Sequence, residues 1–536
     1  MGVTIAVGQI GVLLILSGWH LLSASAIRTL LWGNQNRTPQ QYMIAVGCAM
    51  MSPILIHHLL FFLAGQPNNA MTWSTHLLFL LWAAAKGGVR GFVGDVRYLA
   101  SIIHQAGQVW LVIGASMLLR AVHLGDLSVF LDVPDHVHAM SAFAVGDISG
   151  YPFAAYPRGM HAWLLFHDAW APMDYLASAG HLWPVLLGQV AIAYFVVRKM
   201  RTLPALILLT LVFGVYDSSL FASFRWQIVR QQMLIPEVFA WANITLFIIG
   251  QNAIQRRGQW IAISMAWATC GLVNPLISMM MIVPLLVYLG VIINENRQRR
   301  FFLVSGPILM FLVSALWVMY GANIEYGAHG GGIAEDMDAD EPVSTALTIL
   351  LPKERYLDER FNLPAFGFTV VVGGFIALAA IISPAATNRE KYGVPSFMAM
   401  LGCMHIFGIF GPTSSFPPMR TDIVLCLFYS LMLPSSVETY LQHIKKYCVT
   451  PDWYVGAALT ATVFPRIQYR PSSDLIIALA SFIALIAWFD TTPANDSEIK
   501  HEPMQIGTRW VVAAIIACLI LNATVSNWTT TYHILG

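Results

Sequence analysis

Long apolar runs separated by short polar turns make up almost the whole chain. A helix needs about 20 apolar residues to cross the hydrocarbon core of a bilayer, and that rule predicts about sixteen spans. They centre on residues 3–24, 42–64, 73–86, 99–121, 181–197, 203–216, 236–253, 259–273, 275–293, 301–320, 365–384, 396–411, 422–437, 453–464, 474–489 and 509–526. In lipid the backbone must satisfy its own hydrogen bonds, so runs of this kind form helices. The expected fold is all-α: a polytopic transmembrane helical bundle forming a single membrane domain over 1–536.

The polar residues between the runs are segregated by sign. Arg28 with Arg37, then Lys86, Arg90 and Arg97, then Arg198, Lys199 and Arg201, then Arg256 with Arg257, then Arg297, Arg299 and Arg300, then Arg389 with Lys391, then Lys445 with Lys446 fall in every second predicted loop. Short basic loops stay on the cytoplasmic side. The alternate loops, 122–180, 217–235 and 321–363 with its run GGGIAEDMDADEP, are acidic and are expected outside together with the N-terminus. Arg466 and Arg470 break the alternation. The first run has no basic leader and is expected to remain as the first span.

Composition agrees with this pattern. The 536 residues are 57% hydrophobic and only 11% charged, with a mean hydropathy of +0.65. A soluble globule carries about a quarter charged residues, so that class is excluded. A net charge of +1 and the absence of a basic patch leave no nucleic-acid partner in view. The six cysteines stand singly, mostly within apolar runs, and form neither a disulfide framework nor a zinc pattern. The expected location is the bacterial cytoplasmic membrane, with membrane lipids as surroundings.

Candidate chemistry collects in the first long outer loop. From Asp126 to Trp163 the chain carries Asp126, Asp132, Asp135 and Asp147, three histidines and Arg158. Asp135, beside His136 and His138, is placed to deprotonate a hydroxyl, and Asp132 lies one helical turn earlier. The loop is expected to be partly helical: DHVHAMSAFAVGD lies at the interface, GYPFAAYP breaks it, and MHAWLLFHDAWAP resumes as an aromatic surface helix. Asp135, His136, His138 and His161 include metal-ligand types. An HxH pair on a helix points its rings to different faces, however, and no zinc motif is present, so neither a divalent metal nor any other cofactor is expected.

The second outer loop adds Asp217, Arg225, Arg230 and Glu237, and the third adds Arg355 and Arg360. Guanidinium binds phosphate through two parallel hydrogen bonds, so these arginines and Arg158 are candidates to hold an anionic substrate. Snorkelling of each arginine to lipid phosphates is the competing reading. Trp163, Trp170, Trp183, Trp226 and Trp241 lie near span ends and are expected in an interfacial belt.

The stretch DHVHAMSAFAVGDISGYPFAAYPRGMHAW resembles the first long outer loop of the GT-C superfamily of polytopic membrane glycosyltransferases, in particular its multi-span actinobacterial branch. The positions that carry the likeness are Asp135, His138, Gly146 or Gly150, Tyr156, Pro157, Gly159 and His161. The later PEVFAWANITLFIIGQ and the span ending GLVNPL also look like that branch. The resemblance covers about the first 300 residues. It implies a GT-C bundle, a polyprenyl-phosphate-linked sugar donor and a glycan or lipid acceptor. It also implies that a loop aspartate is the general base, with Asp135 and Asp132 both open. His138, Tyr156, Arg158, His161 and the arginines of the outer loops would bind substrate. Here the aspartate follows the fourth predicted span, whereas in well-known members it follows the first.

Two other classes fit the same outline. An O-antigen polymerase or ligase would use a lipid-diphosphate donor and rely on Arg225, Arg230, Arg355 and Arg360. A transporter or lipid flippase would place charges inside its spans, whereas here the charges fall almost wholly in predicted loops.

Overall fold

A computed structural model of the chain describes residues 2–33, 37–64, 69–105, 159–171, 173–199, 236–250, 253–274 and 300–322, with isolated helical positions in 109–117 and 278–290. The described elements are all helical: α1 (Gly2–Trp32), α2 (Pro39–Ala64), α3 (Asn69–Gln105), α4 (Gly159–Asp168), α5 (Met173–Lys199), α6 (Pro236–Gly250), α7 (Arg257–Val273) and α8 (Arg300–Ala322). Two of them are long and apolar enough to cross a membrane, over Val7–Trp32 and Pro39–Leu60. The chain divides into two compact units; residues 1–107, 120–191 and 232–336 make the first, which holds most of the described helices.

Local chemistry sets the helix ends. α1 stops at Gly33, whose φ of 60° is the left-handed conformation that terminates helices, and the Gly33 N–H donates to the Thr29 carbonyl at 2.8 Å. α2 starts with Pro39 behind a reciprocal cap: the Gln41 N–H donates to Thr38 Oγ1 at 3.4 Å, and the Thr38 N–H donates to Gln41 Oε1 at 3.3 Å. Gln259 caps α7 by accepting from the N–H groups of Gln255 and Arg256, and its amide also donates to the Leu31 carbonyl at 2.9 Å. With the bond from Trp32 Nε1 to the Ala253 carbonyl, this ties the end of α1 to the start of α7.

Small residues let the helices approach closely, as in membrane bundles, where packing and polar contacts replace the hydrophobic driving force. A Cβ at Gly271 of α7 would lie 2.8 Å from the Met310 carbonyl of α8, and Ser264 and Ser305 bond across the same pair of helices at 3.0 Å. Gly250 of α6 lies as close to Ile44 of α2. The outward stripes are aliphatic: Val7, Leu14, Ile15 and Leu22 on α1, and Ile308, Leu309, Leu312 and Leu316 on α8, are all exposed. In water such stripes would be a liability. They suit helices that face hydrocarbon.

Five predicted spans correspond to α1, α2, α6, α7 and α8 to within a few residues at most ends, and the span 181–197 lies within α5. The spans at 203–216 and from 365 onward lie outside the described residues. The expected basic loop between residues 86 and 99 is not a loop. α3 runs through it unbroken. It does bend: a straight run from Leu80 to Asp95 would measure ~22 Å, yet Leu80 packs on Ala26 while Asp95 bonds the neighbouring Ser25. Gly87, Gly88 and Gly91 fall in that stretch, and glycine pairs are a standard cause of kinks.

Candidate functional site

Of the residues singled out by sequence, His161 is described in full. It lies on α4, 1% exposed. Glu237 falls in the first turn of α6. Asp132, Asp135, His138, Tyr156, Arg158, Asp217, Arg225, Arg230, Arg355 and Arg360 lie outside the described residues.

α4 follows the acidic loop directly and was expected at the surface. It is a helix, but Gly159 through His167 are all buried. Met160, Ala162, Trp163, Leu164, Leu165 and Phe166 make it apolar all round, and such a helix is stable only when enclosed. Residues from three stretches far apart in sequence meet here. A Cβ at Gly159 would lie 2.7 Å from the Leu272 carbonyl oxygen and 2.8 Å from Val273 Cα, so the start of α4 abuts the backbone at the end of α7. The Trp163 ring meets Phe239 of PEVFAW edge to face, with centroids 5.3 Å apart.

Around α4 the structure assembles histidines and large aromatic rings. Trp73 of α3 stacks on Phe166 at 4.4 Å, and its Nε1 donates to the Phe166 carbonyl at 2.6 Å. That carbonyl lies in the last turn, where intrahelical donors run out. His20 of α1 faces Trp163, His167 and Trp183, with centroids 5.7, 5.3 and 4.9 Å away. Trp163 and Trp183 are therefore core residues and not an interfacial belt, at 0% and 2% exposure.

Hydrogen bonds fix the protonation of two of these imidazoles. His20 Nδ1 lies 2.8 Å from the Leu16 carbonyl, which can only accept, so Nδ1 carries the proton. Its Nε2 then accepts from Trp163 Nε1 at 3.4 Å. His76 is set by a proline. Pro53 inside α2 has no N–H for the Ala49 carbonyl, and the Ser52 hydroxyl takes over, donating to it at 3.0 Å. The hydroxyl's single hydrogen is then committed. The 2.8 Å bond between Ser52 Oγ and His76 Nε2 is therefore donated by the imidazole. His76 Nδ1 is left as a buried acceptor without a partner, and His167 has neither nitrogen bonded. Among the described residues no group of three His, Cys, Asp or Glu side chains is arranged to hold a metal ion.

A second polar cluster lies where the end of α1, the start of α2 and the bent half of α3 meet. Asp95 is the only carboxylate in the first 125 residues, and it is fully buried. Its carboxylate accepts from Ser25 Oγ at 2.6 Å, Arg28 Nε at 3.1 Å and Arg37 Nε at 2.6 Å. Arg28 is itself buried and lies over the Tyr42 ring, 5.8 Å from its centroid. Arg37 lies along the glycine face of α3: its Nη2 donates to the Gly91 carbonyl at 3.0 Å, and it occupies the space a Cβ at Gly94 would need. Burial disfavours the charged carboxylate, but the bonds from Ser25 and Arg37 and the charge of Arg28 outweigh it and hold Asp95 below its ordinary range.

Sequence reasoning passed over this cluster. Arg28, Arg37 and Arg97 were read as loop charges and Asp95 was not singled out. Arg28 and Asp95 are helical and enclosed, which corrects the expectation that charges fall almost wholly in loops. The available signal was the solitary acid among six basic residues in the first 125 positions.

No protein-family model matches the chain, and no curated protein or solved structure matches it either.

Proposed function

We propose that the protein is a membrane glycosyltransferase that moves a sugar from a polyprenyl-phosphate donor to a cell-envelope glycan or lipid acceptor, at the outer face of the bacterial cytoplasmic membrane. The observation that supports this reading is the contact of α4, through Gly159 and Trp163, with Leu272 and Val273 of α7 and Phe239 of α6, residues from the three stretches of the resemblance. Residues separated by about a hundred positions in sequence pack together, and α4 is the element that directly follows the acidic loop.

In this reading Asp135 or Asp132 takes the proton of the acceptor hydroxyl. The oxygen attacks the anomeric carbon, the bond from that carbon to the phosphate oxygen breaks, and polyprenyl phosphate departs with the electron pair. Arg158, Arg225 and Arg230 stabilise the departing charge. The test is transfer by purified protein in lipid, using labelled polyprenyl-phosphate sugars and an envelope glycan. Asp135→Asn or Asp132→Asn is expected to abolish transfer while leaving expression and folding intact. Full turnover by both variants overturns the assignment of the base. Consumption of a lipid-diphosphate donor in place of the monophosphate would move the protein to the polymerase or ligase class.

One observation favours a transporter or flippase instead. Arg28 and Asp95 are charges enclosed within the helical unit, and α2 and α5 carry internal prolines. Movement of a labelled lipid or solute across proteoliposomes, with no sugar donor consumed, would establish that reading.

A further inference from the structure

The half of α3 beyond its bend has two unlike faces. One is fastened down: Asp95 is held by Ser25, Arg28 and Arg37, and Tyr98 stacks on Tyr42 at 5.6 Å. The other is open. Val93, Val96, Arg97, Ala100, Ser101 and His104 are exposed, and their spacing of three and four residues places them on one side of the helix. Within that side the types separate. Val93, Val96 and Ala100 form an apolar strip, and Arg97 and His104 form a basic one, with Arg90 seven residues before Arg97 in the same register.

No acid interrupts this surface. The single carboxylate of α3 is Asp95, and it is turned inward and bound to two guanidinium groups. The ion cluster beneath therefore holds two cations against one anion, and Arg37, 31% exposed, carries the surplus charge to the rim. An apolar strip beside a basic one, with no acid between, is the pattern of a helix lying in a bilayer interface and favouring negatively charged headgroups.

We propose that the C-terminal half of α3, from Gly91 to Gln105, lies in the membrane interface at the end of the bundle where α1 terminates, and binds anionic phospholipid. Val93, Val96 and Ala100 enter the acyl boundary, and Arg97 and Arg37 meet the headgroup phosphates. Charge complementarity selects the occupant, because an acyl chain answers the valines and an anionic headgroup answers the arginines. The inference rests on membrane placement of the chain and is independent of sugar transfer.

The test uses the full-length protein in vesicles of phosphatidylcholine with one third phosphatidylglycerol. A photoreactive side chain is introduced at Val96, and in separate proteins at Leu14, on the outward stripe of α1, and at the buried Ile44. The expected result is lipid adducts at positions 14 and 96 and none at 44. The position 96 adducts should be enriched several-fold in phosphatidylglycerol, and that enrichment should be lost in Arg97→Gln while the adduct yield persists. Lipid adducts at 14 with none at 96, protein adducts at 96, or a phosphatidylglycerol share equal to that of the bulk would each overturn the proposal. Absence of lipid adducts at 14 as well would overturn the membrane reading beneath it.

Discussion

Two buried polar clusters are built on α1 and α3, and they meet the cost of burial in opposite ways. At His20, His76 and His167 the polar groups are enclosed by rings, and the hydrogen bonds present fix a neutral tautomer for His20 and place a proton on His76 Nε2. At Arg28, Asp95 and Arg37 the groups are charged, and the carboxylate is saturated with donors. His20 and Arg28 are about two helical turns apart. The contrast teaches that placement in this helical unit does not itself demand neutrality: a charge is tolerated where α1 and the turn after it bring three donor side chains to one carboxylate. Both clusters leave buried nitrogens unbonded, Arg28 Nη1 in one and His76 Nδ1 with both His167 nitrogens in the other, and the cohesion of the imidazole cluster comes from packing.

The sharpest test of the contrast is Asp95→Ala. It leaves two guanidinium groups facing each other, one of them fully enclosed, and is expected to cost ~3–5 kcal/mol, read as a lowered unfolding midpoint in detergent. Arg28→Met/Asp95→Leu should cost less than Asp95→Ala, because the enclosed guanidinium goes with the acid and the one charge left unpaired, Arg37, is partly exposed. The same cluster predicts a pH dependence. The folded-state value of Asp95 is depressed, so its contribution is complete above the unfolded value of ~4 and is lost as pH falls through the lower folded value.

At the imidazole cluster effects should be smaller and should differ among histidines that look alike in sequence. His20→Phe strands Trp163 Nε1 and removes the ring's added bond to the Leu16 carbonyl, which keeps its helical N–H donor, at ~1–3 kcal/mol. Ser52→Ala strands the Ala49 carbonyl, at ~1 kcal/mol. Adding Pro53→Ala should recover that loss, because the restored N–H reaches the same carbonyl. His167→Phe should be neutral or stabilising in the same unfolding measurement, since neither nitrogen of His167 has a partner to lose. A loss at His167 as large as at His20 would remove the distinction drawn between them.

The sequence announces the helices whose apolar runs are continuous, and α1, α2, α6, α7 and α8 are of that kind. α3 was harder, because Lys86, Arg90 and Arg97 look like a turn. With Gly87, Gly88 and Gly91 among them, the chain bends there and stays helical. α4 was legible as a helix but not as a buried one. Its enclosure depends on Leu272, Val273 and Phe239, which belong to helices far along the chain. Of the candidate site, His161 was legible as a residue of interest. The partners of His20 and His76 were not, since a lone histidine in an apolar run carries no sign of the carbonyl, hydroxyl or indole that will bond it.

The enclosure of α4 has a consequence for biosynthesis. A ribosome produces the acidic loop and α4 well before α6 and α7, and Leu272 emerges roughly a hundred residues after Gly159, a delay of several seconds at ordinary elongation rates. Through that interval α4 has α1, α2 and α3 to lean on, but neither Phe239 nor the end of α7. The enclosure of α4 is thus completed only once α6 and α7 have been made, and a truncation after α5 would leave Gly159 and Trp163 uncovered on that side.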